Sequence, residues 1–525
     1  NIRSRATSAA ACVAAAVAAL MAASAHADSG VGVDTVLGNV LSPVYPGEPT
    51  PTDPDAWTGK RTPTGRLYKI PYAIPEDRPK TAEGWFYSGA VEIGGLWVTG
   101  DKKDLTFREH QDLKNGVYVP YFRFEADNPD NAGFLELFGG GIGYEEQFYG
   151  LRFGRYNDWR VRAFYNETPH VYTTTYRSLW NGVGTDNLTL KTLTPGGSPT
   201  AAATQTNILN TLQTTDNSQL GIVRKKGGLG IDVNLAPSWK AYANFTGEKR
   251  QGARPFAAVW GGGGGGGNAE ISESIDYNTY DMYGGLRYTD PLTNFNLQVQ
   301  ATLFRNNIDT MAFDNPLSIT TNTISPTNLA TTFKYGRYDL YPDNDYYNVK
   351  GEYARALPDL WNGRFTAVVS FGRSKQNDNL IAPTPFSLTG VTINGVSAAN
   401  VWNTTNALTR QTSGAQIDST LIDVGLTLNP APEWSVRGKV RYFETDNSTE
   451  YLACNPLTGQ WGRLINEGSG GAFVSNAAYL AANCNLAAVQ ALNLVPSAGN
   501  INIKNVPFDG SQLNYSLAAE WRING

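Results

Sequence analysis

Three histidines and three cysteines make up the chain's whole stock of imidazole and thiol side chains. Of these, Cys12 and His26 fall in the first 27 residues, which leaves His110, His170, Cys454 and Cys484 for the body of the protein. A hydrolytic nucleophile needs a histidine base held in place by a third group, and neither remaining histidine has a nucleophile at motif spacing. Covalent haem attachment needs Cys-x-x-Cys-His, and that motif does not occur. The chain is therefore read as no enzyme, and as binding no cofactor or metal itself. Electron transfer through it would have to be carried by another molecule. An even cysteine pair in an exported protein reads as a disulfide, here Cys454 to Cys484, closing one long loop. The glycine run 261–267 reads as a loop tip rather than a phosphate cradle, because no Lys-Ser/Thr and no helix follows it.

Charge supplies the other candidate chemistry. Glu92, Arg123, Glu125, Arg152, Arg160, Arg162, Lys240, Arg437, Lys439 and Arg441 alternate with apolar neighbours, as do Glu248, Lys350 and Glu352. Alternation is the signature of a strand with one polar and one apolar face. Trp159, Val161, Ala163 and Tyr165 oppose Arg160, Arg162 and Asn166, while Phe295, Leu297, Val299, Ala301 and Leu303 oppose Asn296, Gln298, Gln300 and Thr302. About fourteen such segments follow Gly84, most of them long enough to cross a bilayer at a tilt. Asn157-Asp158 and Pro430-Ala431-Pro432-Glu433 form tight turns, and long polar loops are expected near 167–218, 252–272, 307–338, 376–414 and 446–508. His170 is expected to begin the first of these loops.

A soluble sandwich also alternates, but its strands average about 5–6 residues. Runs of about 10–14 residues tipped with Trp and Tyr place lipid outside and water inside. The listed charges then face a lumen, either as a solvated wall or as the contact surface for an inserted protein. Composition agrees: charged residues are 17% of the chain, against roughly 25% in soluble domains, with 55 Gly, 27 Tyr and 12 Trp. The formal net charge of −5 singles out no partner, and nothing in the chain points to nucleic acid.

The N-terminus addresses the chain. A basic start at Arg3 and Arg5, an Ala-rich apolar stretch and Ala25-His26-Ala27 before Asp28 make a secretory signal peptide cleaved between Ala27 and Asp28. Residues 28–83 form a Pro-rich leader, read either as a plug or as a disordered periplasmic tail. Residues 84–525 are expected to form the N-terminal part of a transmembrane β-barrel.

Several blocks go beyond pattern. They are Gly89-Ala90-Val91-Glu92-Ile93-Gly94-Gly95-Leu96-Trp97, Asp112-Leu113-Lys114-Asn115-Gly116, Tyr149-Gly150-Leu151-Arg152-Phe153-Gly154-Arg155-Tyr156, Tyr165-Asn166-Glu167-Thr168-Pro169-His170 and Arg177-Ser178-Leu179-Trp180-Asn181-Gly182. With Tyr451-Leu452-Ala453-Cys454-Asn455-Pro456 and Val495-Pro496-Ser497-Ala498-Gly499-Asn500, they resemble the MtrB/PioB family of outer-membrane barrels. The resemblance implies a sheath around a periplasmic multihaem c-type cytochrome, with haem carried by that partner and a further multihaem cytochrome at the outer loops. Such a conduit serves extracellular electron exchange with metals, in either direction. The alternatives are a diffusion porin, anion-selective through its basic lumen, and a surface adhesin or receptor. The resemblance implies a barrel of some two dozen strands or more, and the chain stops without the terminal aromatic usual for outer-membrane barrels. An all-β, large antiparallel barrel is thus expected here as an incompletely closed piece that continues past residue 525.

Overall fold

In the computed structural model, residues 78–523 are described apart from 113, 193–200, 261–266, 317–334, 386, 388, 391, 394–395, 398, 462–476 and 492–508. The signal peptide, most of the leader and most of the glycine run lie outside the described residues. The alternating segments form β1 (Phe86–Leu96), β2 (Gly116–Asn128), β3 (Gly133–Gly140), β4 (Phe148–Arg155) and β5 (Trp159–Tyr176). The short strands β6 (Trp180–Asn181) and β7 (Asn187–Leu190) precede β8 (Ser218–Ala236), β9 (Trp239–Trp260), β10 (Gly267–Thr289) and β11 (Thr293–Asn306). Then come β12 (Thr310–Asp314), β13 (Tyr335–Asp339), β14 (Asn344–Leu357), β15 (Gly363–Gln376), β16 (Thr392–Ile393) and β17 (Val396–Ser397). The last are β18 (Ala415–Ala431), β19 (Trp434–Asn447), β20 (Cys454–Asn455), β21 (Gln460–Trp461) and β22 (Gly510–Trp521).

Fourteen of these make one sheet in the order β1-β2-β3-β4-β5-β8-β9-β10-β11-β14-β15-β18-β19-β22. All thirteen pairings are antiparallel, and among the described residues β1 does not pair with β22, so the sheet is unclosed. The expected count and the open edge both agree with this. Every second connection is short, as at Asn157, where a left-handed φ of 61° turns the chain from β4 into β5. Most of the intervening connections are long, the exceptions being residues 141–147 between β3 and β4 and 261–266 between β9 and β10. Short turns mark the periplasmic end and long connections the extracellular end.

Register fixes which residues share a face. Leu229, Phe245, Met282, Ala301 and Tyr347 follow one another across successive strands on one face. Exposed apolar side chains on that face include Val91, Leu229, Phe245, Leu297, Val349, Phe371, Ile422 and Val440. Exposed to water, such a surface would aggregate, whereas against lipid it is the stable arrangement. Aromatic pairs bound it at the short-turn end: Trp239 with Tyr288 at 5.0 Å, Tyr353 with Phe365 at 6.1 Å and Trp434 stacked on Trp521 at 5.6 Å. At the other end Tyr149 stacks on Tyr165 and Phe245 on Tyr280, both at 6.2 Å. The residue steps between these girdles, Trp239 to Phe245 or Tyr288 to Tyr280, cover roughly 20–27 Å along the strand, or about 15–21 Å of height at a tilt of about 40°, somewhat less than an apolar band about 25 Å tall.

The long connections are more ordered than expected. Two of the expected loops, 167–218 and 252–272, are partly strand, because β5, β8, β9 and β10 run past the apolar band. At 22 and 23 residues, β9 and β10 are about twice the 9–11 needed to cross a bilayer. His170 accordingly sits inside β5, not at a loop start. Pro169 is tolerated there because β4 ends opposite Asn166. The flanking Glu167 and Val171 N–H groups reach Gln147 and Glu109 carbonyls, and the proline nitrogen falls in the gap between them, where no donor is needed.

Above the band, β13, β12, β7 and β6 form a second sheet, with β7 and β12 parallel. Its core joins Leu179, Trp180, Leu188 and Leu190 to Met311, Phe313 and Leu340, packed against Ala258 and Ile271 of the β9–β10 hairpin. Asp314 ties the layers together: its carboxylate accepts from the Leu190 N–H at 2.9 Å, and its carbonyl accepts from Trp180 Nε1 at 2.9 Å. A second loop unit holds the Cys454–Cys484 disulfide, with Trp461 and Val489 buried beside it.

Two outcomes are expected. Val299→Arg, placing a cation mid-band on the lipid face, should cost about 2–4 kcal/mol of folding stability in vesicles, while Gln298→Arg on the other face should cost under about 1 kcal/mol; denaturant titration distinguishes them. Burial raises the Asp314 carboxyl above its ordinary value, with the Leu190 N–H partly offsetting it. The protonated form is then favoured by folding, so this contribution is complete below the unfolded pKa near 3.8 and is lost as pH rises through the folded value. Hydrogen-exchange protection over 179–190 should fall as pH is raised from 4 towards neutrality, and Asp314→Asn should flatten that fall.

Candidate functional site: the lumen-facing wall

The face opposite the apolar one carries the charges. Row by row, Glu125 lies opposite Glu136, Glu136 opposite Arg152, Arg152 opposite Arg162 and Arg162 opposite Gly230. The row continues through Asn244, Tyr283, Gln300, Asn348, Gly372, Ser419 and Thr445. By the same register Glu92, Arg123, Arg160, Lys240, Arg437, Lys439 and Arg441 are on this face. The pairing thus places all ten candidate residues on one side of the sheet, opposite the apolar band.

These charges are largely paired along the wall. Arg160 and Arg162 converge on Asp232 at 2.9 and 3.4 Å, and Arg162 also donates to the Asn244 carbonyl oxygen at 3.3 Å. Arg152 meets Glu136 at 3.2 Å, Arg123 meets Glu125, Lys439 meets Asp423 at 2.9 Å and Arg437 meets Glu520 at 3.0 Å. Higher up, Arg224, Lys226 and Arg250 surround the buried Glu248. Level with Arg160 and toward the short-turn end, Lys350 meets Glu352 at 2.5 Å. Beside them lies a tyrosine and amide patch, in which Tyr242 donates to Asn296 at 2.8 Å, Asn296 donates to Glu352 at 3.0 Å and Arg287 lies over the Tyr242 ring at 5.5 Å. Arg78, just before β1, reaches Asp127 and Glu125 at 3.2 and 3.4 Å. The chain therefore approaches its first strand from the lumen side.

Reading the lumen as basic needs correction. The sequence expectation picked nine cations and four carboxylates, yet Glu136, Asp232, Asp423 and Glu520 also share the face and neutralise much of it. Asp232 was visible in the alternation of Leu229, Ile231 and Val233. Asp423 sits in an apolar run, Leu421 to Val424, where alternation is weak.

The two histidines come together on the same face at the extracellular end. Their rings are 5.0 Å apart, His110 Nδ1 lies 3.3 Å from the Pro169 carbonyl oxygen, and one Glu109 oxygen is 3.6 and 3.9 Å from the two Nε2 atoms. Among the described residues no group of three or more His, Cys, Asp or Glu is arranged to hold a metal.

Removing Asp232 isolates two guanidiniums. Asp232→Asn should destabilise the barrel by about 1–3 kcal/mol and raise the anion preference of a reconstituted pore, while Asp232→Glu should preserve both; unfolding in vesicles and reversal potentials read the two effects.

The comparisons with known proteins bear on this wall and its band. The outer-membrane β-barrel porin profile MtrB/PioB matches residues 98–525. Outer membrane protein MtrB of Shewanella baltica is 24% identical over 203 residues, which are 38% of this chain and 26% of that protein; the matched stretch is about a quarter of the relative's length. Among solved structures, OmpT of Vibrio cholerae aligns with a TM-score of 0.23 at 10% identity, covering 71% of this chain and 90% of that one. The copper transporter OprC aligns at 0.30 and 11% identity, covering 84% and 55%. Neither alignment is close enough to carry an argument beyond the matched profile. With an apolar girdled band outside, a polar paired wall inside and the profile spanning most of the strands, this outer-membrane chain belongs to the MtrB/PioB family of β-barrel porins.

Proposed function

We propose that this barrel sheathes a periplasmic multihaem c-type cytochrome, so that electrons cross the outer membrane along haems held by the partner and insulated from lipid. The observation that carries the reading is the charge-paired lumen wall. A pore that selects ions by charge works best with fixed, unmatched charge projecting into water. Here Asp232, Glu136, Asp423 and Glu520 hold the cations against the strands, which leaves a flat polar surface of paired ions, tyrosines and amides. Such a surface suits contact with a protein exterior, where polar groups must be matched to offset their desolvation.

Size supports the same reading. A barrel of 16–18 strands already leaves an aqueous channel. Fourteen strands do not close here, so the complete ring needs further pairing at both edges. A wider lumen has room for a folded partner. In this reading the ligands to haem iron belong to the cytochrome, and the barrel contributes width, insulation and a matched wall. The extracellular cap and the disulfide-closed loop would then form the surface that meets a second, external cytochrome.

The test is purification of the whole barrel from native membranes. The reading expects a haem absorbance band that co-elutes with the barrel in fixed proportion and a c-type cytochrome in the same peak. A haem-free barrel that conducts ions as a monomer would overturn it in favour of a diffusion porin.

A further inference from the structure

The lipid-facing side of β8 and β9 carries a feature that neither lumen nor cap explains. Directly above the apolar band, Lys225 and Lys249 lie opposite each other on adjacent strands. Like charges so placed repel unless something compensates them. The row continues through Asn278 to Arg305 on the next two strands, so three cations and an amide share one outward line. Carboxylates meet these cations from the side: Lys225 meets Glu167 at 3.1 Å, Lys249 meets Asp276 at 3.3 Å, and Arg305 meets Asp343 at 3.5 Å and Asp345 at 3.9 Å. Each ammonium has three donors, and Lys225 and Lys249 remain 46% and 39% exposed.

Immediately below, the row toward the membrane centre holds Gly227 opposite Gly247. A methyl group added at Gly247 would meet only the rings of Tyr280, at 3.4 Å, and Phe245, at 3.7 Å; at Gly227 it would touch the Phe164 carbonyl oxygen at 3.4 Å and the Tyr165 ring at 3.8 Å. The missing side chains therefore leave a notch floored by backbone, walled by Tyr165 on one side and Tyr280 on the other. It opens downward onto the exposed Leu229, Phe245 and Ile231. A slot lined by glycine and aromatic rings fits an extended acyl chain. Paired ammoniums at its upper end, at headgroup level on the extracellular side, fit a phosphate.

We propose that this notch binds the phosphorylated glycolipid of the outer leaflet, with an acyl chain lying over Gly227 and Gly247 and a headgroup phosphate bridging Lys225 and Lys249. The bridging anion removes the repulsion between the lysines, and the aromatic walls fix the chain's position. The site faces away from the lumen, so it stands whether or not a cytochrome fills the barrel.

The test uses the full chain folded into phosphatidylethanolamine vesicles doped with lipid A, followed by detergent extraction and mass spectrometry of retained lipid. The Lys225→Ala/Lys249→Ala double variant should retain at least about tenfold less lipid A, since two charge-assisted contacts are lost. Gly247→Leu, which fills the notch while keeping both lysines, should also lower retention. Lys226→Ala changes a neighbouring lysine that faces the lumen and should leave retention unchanged, which controls for folding. Retention by the double variant equal to that of the wild type would overturn the proposal. So would equal displacement of lipid A by phosphatidylglycerol, which would make the site a general phospholipid contact.

Discussion

One constraint organises this molecule: in hydrocarbon, every backbone N–H and C=O must find a partner within the protein. Strands meet it only sideways, each through its neighbours, which is why fourteen strands join in a single unbroken antiparallel ladder. The constraint also governs the exceptions. Pro169, which lacks a donor, sits where β5 outruns β4 and the gap between Gln147 and Glu109 asks for none. The edges of β1 and β22 are the two places where the requirement stays open. Closing them is what turns this sheet into a barrel, whatever chain supplies the pairing.

Once the ladder is set, each strand divides its side chains between two solvents with opposite demands. On the outer face the demand is apolarity, and the cost of one misplaced charge sets the composition of the band. On the inner face the demand is matched polarity. Arg160, Arg162 and Asp232 meet it jointly from two strands, and Arg437 with Glu520 from two more. Single exposed ion pairs contribute little to stability. Their effect here lies in the surface they make, polar but without a large uncompensated field.

The fold was legible in the sequence because a period of two survives in nearly every strand, and β11 shows it residue by residue from Asn294 to Leu303. The face of each candidate charge followed from the same period. What stayed hidden was pairing between strands. The carboxylates that neutralise the arginines come from neighbours chosen by register, and register across long connections leaves no local trace. The ordered cap was hidden for a related reason: Trp180, Leu188 and Met311 come from two connections far apart in the chain and form a core only on the β9–β10 hairpin. His170 was misplaced because a proline beside it reads locally as a strand end, whereas Pro169 in fact sits at an edge that tolerates it.

The strand order carries a consequence for assembly. Barrel strands follow one another in space as they do along the chain, without a crossover. Each hairpin can therefore zip onto the one made before it, and the template for the next strand is always the strand just added. Growth is local at every step. The cap strands, by contrast, come from two different connections and cannot assemble until β12 has followed β11. The cap can thus close midway through a wall that extends in chain order, before β14 to β22 are added.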